Sequence, residues 1–478
     1  VRALVVAFAT ALGALFMLAA TPAWANGRLP AANQLVVAPN DPTFMALRAT
    51  FGIIVTHDGG NSWYWVCETA TGYDAQEIQD PSIGITANNS LVVGLREGLA
   101  VSHDNECDWH YVSGPLGHTS IVDVVTRPDM PSTILALASE ASGFDDAGDT
   151  TYTSQVWTST DNGETWTATG TPLPSSYILE TIEVTATDDN RIYVSGVTGA
   201  GNSAVATMFV SNDGAMTWTP RSIPSPMFDP TQPEGDQSVF VTAVDPTDED
   251  IVYLRTIGNI NYKLLVTNDG GQTYYTAFEE PHNLTGFALS ADGSTIFVGG
   301  PSIGLYSAPK TQQLMQSTFV ATSPQSPVDM TCLARNGTSL YACSSIATGP
   351  FLVGQSIDNG ASFASVLQTR QLCGPLGCMT DAAEYECNYE WPPWMQTFGI
   401  EGTCGSEPMP EAGPTADASV KPTKDASPDA AKGNEDTGGG GGSSGCGCDT
   451  ASLDAGGVGG LLSLVGAMAL MLRRRKSA

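Results

Sequence analysis

The side chains of this chain best placed to do acid or base chemistry are carboxylates. Asp123, Glu183 and Asp329 stand at similar places, each near the start of a short apolar strand. Two carboxyl groups held roughly 5 to 9.5 Å apart are the working parts of a glycosidase. The same three acids could instead form a rim that holds a cation, or could bond backbone N–H groups at strand ends. The run Phe144-Asp145-Asp146-Ala147-Gly148-Asp149 is an oxygen-rich loop suited to Ca²⁺, yet short of a full ligand set. The five histidines are isolated from one another, and the chain has no Gly-rich phosphate loop, His-Glu-x-x-His helix or nucleophile elbow. Spacing therefore assigns no catalytic residue and no metal ligand.

The elements that must position these acids announce themselves by repetition. The stretch Ser159-Thr160-Asp161-Asn162-Gly163-Glu164-Thr165-Trp166 recurs, degraded, along the chain. Its Asp can accept N–H groups of its own turn, its Gly permits a positive φ, and its Trp opens the next strand. Copies pair Asp58 with Trp63, Asp104 with Trp109, Asp213 with Trp218, Asp269 with Tyr274 and Asp358 with Phe363, while a seventh position near Ser307 has lost its Asp. Starts lie about 40 to 57 residues apart, a spacing that signals propeller blades. Short strands and Asp-Pro, Asp-Gly or Asn-Gly turns fill each interval, so each unit reads as four strands and the whole as a single all-β, seven-bladed propeller. A residue that every blade requires cannot also converge on one site, so these aspartates read as turn formers and their aromatic partners as packing anchors.

The pattern Ser/Thr-x-Asp-x-Gly-x-Thr/Ser-Trp resembles the Asp-box, or BNR repeat, of sialidases and related propellers. Sialidase-like chemistry would require three arginines, a Tyr with a Glu, and an Asp. Gly27-Arg28-Leu29-Pro30 resembles the segment that opens those enzymes, but the remaining arginines have no matching spacing.

Composition supports a turn-rich β chain, with Gly 51 and Pro 30. Lys and Arg number 19 against 50 Asp and Glu, a formal charge of −31, which repels nucleic acid and anionic membrane surfaces. Ten cysteines in an exported chain predict disulfides. Cys67 is expected to pair with Cys107 across adjacent blades, and Cys332 with Cys343 across a hairpin. Cys373, Cys378, Cys387 and Cys404 are expected to make two bridges among themselves.

Both ends of the chain carry targeting signals. Residues 1–25 read as a secretory signal peptide: an early Arg, an apolar run, then Ala23-Trp24-Ala25. The propeller would occupy 26–370, a Cys-rich extension 371–405, and a disordered acidic and Gly-Ser linker 406–445. In the tail, 446–478, an apolar run of about 18 residues, ~27 Å as a helix, is just long enough to cross a bilayer and precedes a basic end. Gly445-Cys446-Gly447-Cys448, the apolar helix and Arg473-Arg474-Arg475-Lys476 together resemble the MYXO-CTERM sorting tail. That resemblance implies processing at Cys446 or Cys448 and delivery to the cell surface, anchored by the helix or by a lipid. The expectation is a displayed binding or scaffold propeller for an extracellular protein or glycan. A surface glycoside hydrolase and a structural envelope protein are the alternatives.

Overall fold

The computed structural model describes residues 30–400, apart from 73–79, 104, 200–202, 225–226, 228–237, 258–260, 312, 323–328, 346–348 and 379–381. The expected signal peptide, linker and tail lie outside the described residues, with Cys404, Cys446, Cys448 and Asp104. Among the described residues no helix is long and apolar enough to cross a membrane.

Seven four-stranded antiparallel sheets follow one another along the chain, each built from four consecutive strands. Blades 1 to 7 span 32–66, 82–111, 121–173, 177–222, 239–280, 286–321 and 330–367. The first strands of successive blades lie side by side, and that of blade 7 (Met330–Asn336) meets that of blade 1 (Ala32–Val37). The architecture is thus a closed seven-bladed propeller. Middle strands such as Met45–Ala49 and Gly52–Thr56 are almost wholly buried, whereas the outermost strand of blade 3, Thr167–Leu173, is largely exposed. The core lies between blades. Leu135 and Leu137 of blade 3, for example, pack with Ile182, Val184 and Phe209 of blade 4.

The Asp-less unit is blade 6. Ser307 sits inside its third strand (Gly304–Pro309), and the excursion that follows buries Leu314 and Phe319. Phe319 packs, tilted, at 4.9 Å from Phe278 of blade 5. A different aromatic, reached by a different loop, therefore does the anchoring that Trp does elsewhere.

Among the described residues every blade is contiguous in sequence, and the last blade is built from four consecutive strands of its own. Ala31 and Ser345 form a single bridge at the junction. Thr331 donates to the carbonyl of Ala32, and Asn336 Nδ2 donates to the carbonyl of Pro42 at 2.8 Å. The extension after blade 7 then reaches forward over the ring. Residues 373–376 pair with the outermost strand of blade 1 (Tyr64–Val66) in parallel, through Cys373 N to Trp63 O, Trp65 N to Gly374 O and Leu376 N to Trp65 O. A helix, Ala382–Phe398, follows. Its Trp391, Trp394 and Phe398, at i, i+3 and i+7, lie on one face. They pack on Trp65 (5.3 Å) and Phe51 (5.2 and 4.9 Å). Pro392 and Pro393 lie inside this helix, where proline ordinarily breaks the bonding pattern, and this packing holds the helix through them.

The cysteines follow that path. Cys332 pairs with Cys343, directly opposite it in register. The expected pairing of Cys67 with Cys107 is not made: Cys67 leaves its strand at the end remote from the Asp turn, whereas Cys107 enters its strand at the turn. Each bonds instead to the extension, as Cys67–Cys387 and Cys107–Cys378. The extension is therefore not bridged within itself at these positions. Cys373 is disulfide-bonded as well.

Two outcomes follow for stability. In the chain-entropy account the Cys67–Cys387 bridge, closing about 49 residues beyond the intact Cys107–Cys378 bridge, restricts the unfolded chain more than one closing 11, roughly 4 against roughly 3 kcal/mol. Replacing Cys67 and Cys387 together by Ala should therefore lower Tm more than replacing Cys332 and Cys343, and the reverse order in calorimetry would show that the clasp is decorative. Asp161→Ala should cost about 1–2 kcal/mol in denaturant titration by freeing the bonds of one turn; an unchanged midpoint would contradict its role.

Candidate functional site

The repeated turns have one shared wiring. In blades 1, 3, 4, 5 and 7 the first-position hydroxyl (Thr56, Ser159, Ser211, Thr267, Ser356) donates to the Asp carboxylate at 2.7–2.9 Å. It also accepts the N–H of the fifth residue at 2.8–3.0 Å. The Asp in turn accepts the seventh residue's N–H: Ser62, Thr165, Thr217, Thr273 and Ser362 at 2.8–2.9 Å. Trp63, Trp109 and Trp166 bond back to the fifth-residue carbonyl, whereas Trp218 and Tyr274 reach Thr171 and Arg221 of the preceding blade. Phe363 packs toward Phe351. Slight burial pushes Asp58, Asp161 and Asp269 up, but the turn's hydrogen bonds outweigh it. In Asp213 and Asp358 the bond from the seventh-residue hydroxyl dominates, and all five pKa values are lowered. These carboxylates are occupied by their own turns.

Blade 2 departs from the pattern, and the sequence reading missed the consequence. Where the other turns have Gly or Ala, Glu106 takes the left-handed conformation (φ 64), beside Asn105 at φ 54. Its buried carboxylate meets His57 Nε2 of the blade 1 turn at 2.8 Å, and His57 stacks on Phe44 at 4.4 Å. His103, at the same turn position as His57, lies 3.5 Å from Glu164 of blade 3. The signal was present in the chain: a Glu in a glycine slot and a His at the second position of two successive turns. Burial raises the Glu106 pKa against the opposing pull of His57. Burial also disfavours a charged His57, but Glu106, with Asp41 and Asp58, overcomes it and raises the imidazole.

Of the three candidate acids, the fold brings two together. Asp123 and Glu183 lie on the innermost strands of blades 3 and 4 (Ile121–Thr126 and Tyr177–Val184). Both keep partial exposure while enclosed by protein. Asp123 Oδ1 accepts Val124 N at 2.9 Å, and its Oδ2 accepts Ile182 N of the next blade at 3.0 Å. Burial raises its pKa to about 7 against those bonds, Arg48 and Ser82. Glu183 is raised well above the usual range, by burial and then by the charge of Asp123. Asp329 stands across the ring before the first strand of blade 7 and accepts Ser302 N of blade 6 at 2.7 Å.

The three acids are not equivalent positions. Aligned through the strand registers, Asp123 corresponds to Gln34, Ser82, Thr181 and Cys332, while Glu183 lies two residues further along. The innermost strands of blades 1, 3, 4 and 7 each carry a bulge immediately before this position, which leaves Asn33, Val122, Glu180 and Thr331 out of register. This ring position ties blades together. Gln34 bonds both N–H and carbonyl of Ile83, Asp123 takes Ile182 N, and Thr181 Oγ1 accepts Val241 N at 2.9 Å.

The acidic loop behaves likewise. Asp145 Oδ1 accepts the N–H groups of Ala147 (2.8 Å) and Asp149 (2.9 Å). Among the described residues no three His, Cys, Asp or Glu side chains are grouped so as to hold a metal ion.

Residues 115–269 match the DUF6242 beta propeller domain. The matched segment runs from just before blade 3 into the Asp turn of blade 5. No curated protein matches the chain. Among solved structures, the beta-propeller domain of Myceliophteria thermophila Cps50 (Swd1) is similar at 10% identity and TM-score 0.42, over 66% of this chain and 93% of that one. A Mycobacterium tuberculosis puromycin-hydrolyzing peptidase is similar at 12% and 0.48, over 74% of this chain and 55% of the peptidase. An ancestral GH74 enzyme is similar at 13% and 0.38, over 74% and 56%. Likeness at this level does not extend to activity or ligand.

The opposed pKa shifts fix the shape of stability against pH. The turn aspartates are lowered, so their contribution is present above about pH 4 and is lost as pH falls through their folded values. Asp123, Glu183 and Glu106 are raised, so above about pH 4 the folded state holds protons that the unfolded chain has released, and stability falls as pH rises toward 7. His57 is also raised; its contribution is full below about 6.5 and is lost as pH climbs through its folded value. Melting temperature at constant ionic strength should therefore peak on the mildly acidic side, near pH 4–5. A plateau from there to pH 8 would refute the assignment of the buried acids.

Proposed function

We propose that this chain is an exported β-propeller displayed at the cell surface, where it serves as a binding or scaffold module for an extracellular ligand, protein or glycan. The observation that carries this reading is the use to which the candidate acids are put. Asp123 and Asp329 spend their oxygens joining blades, and the turn aspartates are saturated by their own backbone. Three bridges with both partners in the described part favour an oxidising compartment. The shared hydroxyl, carboxylate and N–H wiring supports kinship with the Asp-box repeat, and the sequence of residues 446–478 supports a sorting tail of the MYXO-CTERM kind with its membrane or lipid anchor.

A second reading is a surface glycoside hydrolase, favoured by one observation: Asp123 and Glu183 are close enough to couple, and Asp123 titrates near neutrality. An acid of that kind could protonate a leaving group. A glycan-array and chromogenic-glycoside screen on the folded chain, with Asp123→Asn, Glu183→Gln and Asp329→Asn alongside, separates the two. The binding reading expects no turnover and a lower Tm for Asp123→Asn, because a blade tie is lost. Hydrolysis that falls more than ~100-fold in Glu183→Gln would establish the enzyme instead.

A further inference from the structure

The second and third strands of blade 3, Ile134–Phe144 and Thr150–Ser159, are 11 and 10 residues long, whereas the corresponding strands of blade 1 have five each. The innermost strand stops pairing at Ala138, and the hairpin runs on for six residues, roughly 20 Å at strand rise. Every residue from Glu140 to Thr150 is exposed. At the tip Phe144 is 76% exposed.

At its base this ribbon is tied to its neighbours, Ser139 N to Ser120 O, Ser120 N to Glu140 and Tyr152 N to Ser175 O, and beyond that it is ordered from within. Ser139 and Ser154 hydroxyls meet at 2.8 Å, Ser142 and Thr151 at 3.3 Å, and Asp145 caps the turn with two N–H bonds. A two-stranded ribbon standing free in water is marginal by itself, so these ties matter. They hold an aromatic ring in solvent on a pre-organised arm, the arrangement in which a partner can bury it without a large ordering cost.

Charge selects the partner. The ribbon carries Glu140, Asp145, Asp146 and Asp149 and no Lys or Arg between residues 139 and 154. A second copy of the ribbon would bring like charges together, and the chain as a whole, at −31, offers little basic surface to receive it. We propose that the blade 3 ribbon is a docking arm for a lysine- and arginine-rich segment of another protein, with Phe144 as the anchor and Asp146 and Asp149 as the charged rim. The inference rests on the binding reading above and names the chemistry of the partner.

The test uses a synthetic peptide of alternating lysine and threonine, with its glutamate counterpart as control, titrated against the intact chain at physiological salt. One variant carries Phe144→Ser, Asp146→Asn and Asp149→Asn, leaving Asp145 to form the turn. A second, Glu97→Gln with Glu280→Gln, removes the same number of charges elsewhere. Saturable binding of the lysine peptide should weaken roughly tenfold in the ribbon variant and little in the second, with unchanged melting of both. Equal weakening in both would mean diffuse attraction to an acidic surface and would overturn the arm. Binding untouched by the ribbon variant would also overturn it, while leaving a binding propeller with its site elsewhere. No binding of the lysine peptide beside a positive glycan array would remove the arm alone; silence in every assay would remove the binding reading with it.

Discussion

A ring of blades must close, and each interface depends on that closure because every blade is buried from both sides. The contact between blades 7 and 1 joins the two ends of the chain, so it carries the largest loop entropy and has no hairpin to hold it. Among the described residues it is not secured by lending a strand. Bonds at the junction include the backbone bridge of Ala31 with Ser345 and the side-chain bonds of Thr331 and Asn336. Past it, residues 373–376 extend the sheet of blade 1, an aromatic helix covers Phe51 and Trp65, and bridges reach blades 1 and 2. The closing element therefore overlaps the seam and is bonded covalently beyond it. The apolar packing between the other blades is secure only while this seam is shut.

The parts of this design that are local in sequence were legible there. An Asp turn is decided by bonds spanning four residues or fewer, so Asp161 and Thr165 announce it together, and the count of seven survives even blade 6. Cys332 and Cys343 flank one hairpin and could be paired on that ground. Cys67 and Cys387, 320 residues apart, could not, because nothing near either residue records where the extension returns. The helix was hidden by Pro392 and Pro393, whose local cost is outweighed by contacts with blade 1. The blade ties were hidden because ring register is set by pairing with the second strand and not by anything local: Asp123 and Glu183 look alike along the chain and differ by two residues in the ring.

Those ties form two tiers with different electrostatics. Near the axis Gln34, Asp123 and Thr181 bond the backbone of the next blade, and the carboxyl groups there are held by burial above their usual pKa. Further out, His57 with Glu106 and His103 with Glu164 join successive turns of blades 1, 2 and 3. Blades 5 and 6 use a third device, Lys310 against the buried Asp245 at 2.7 Å. The strongly acidic chain thus keeps protons or cations beside its interior carboxylates and leaves bare charge to the turns and the surface, where water screens it.

The order of strands also divides the propeller into two unlike faces. In a four-stranded meander the first and third hairpin turns lie at one end, and the middle hairpin and blade-to-blade connections at the other. The first end is regular: Asp41, Asp188 and Asp292 accept N–H groups of the first turn in blades 1, 4 and 6, as the repeated Asp does in the third. Polar groups that satisfy one another have little left to offer a ligand. The opposite end carries the elements that differ from blade to blade, among them the long ribbon of blade 3 and the connections that lead into the clasp. Variation is tolerated there because those segments owe nothing to the turn wiring, and the same freedom lets that face acquire a ligand without loosening the ring.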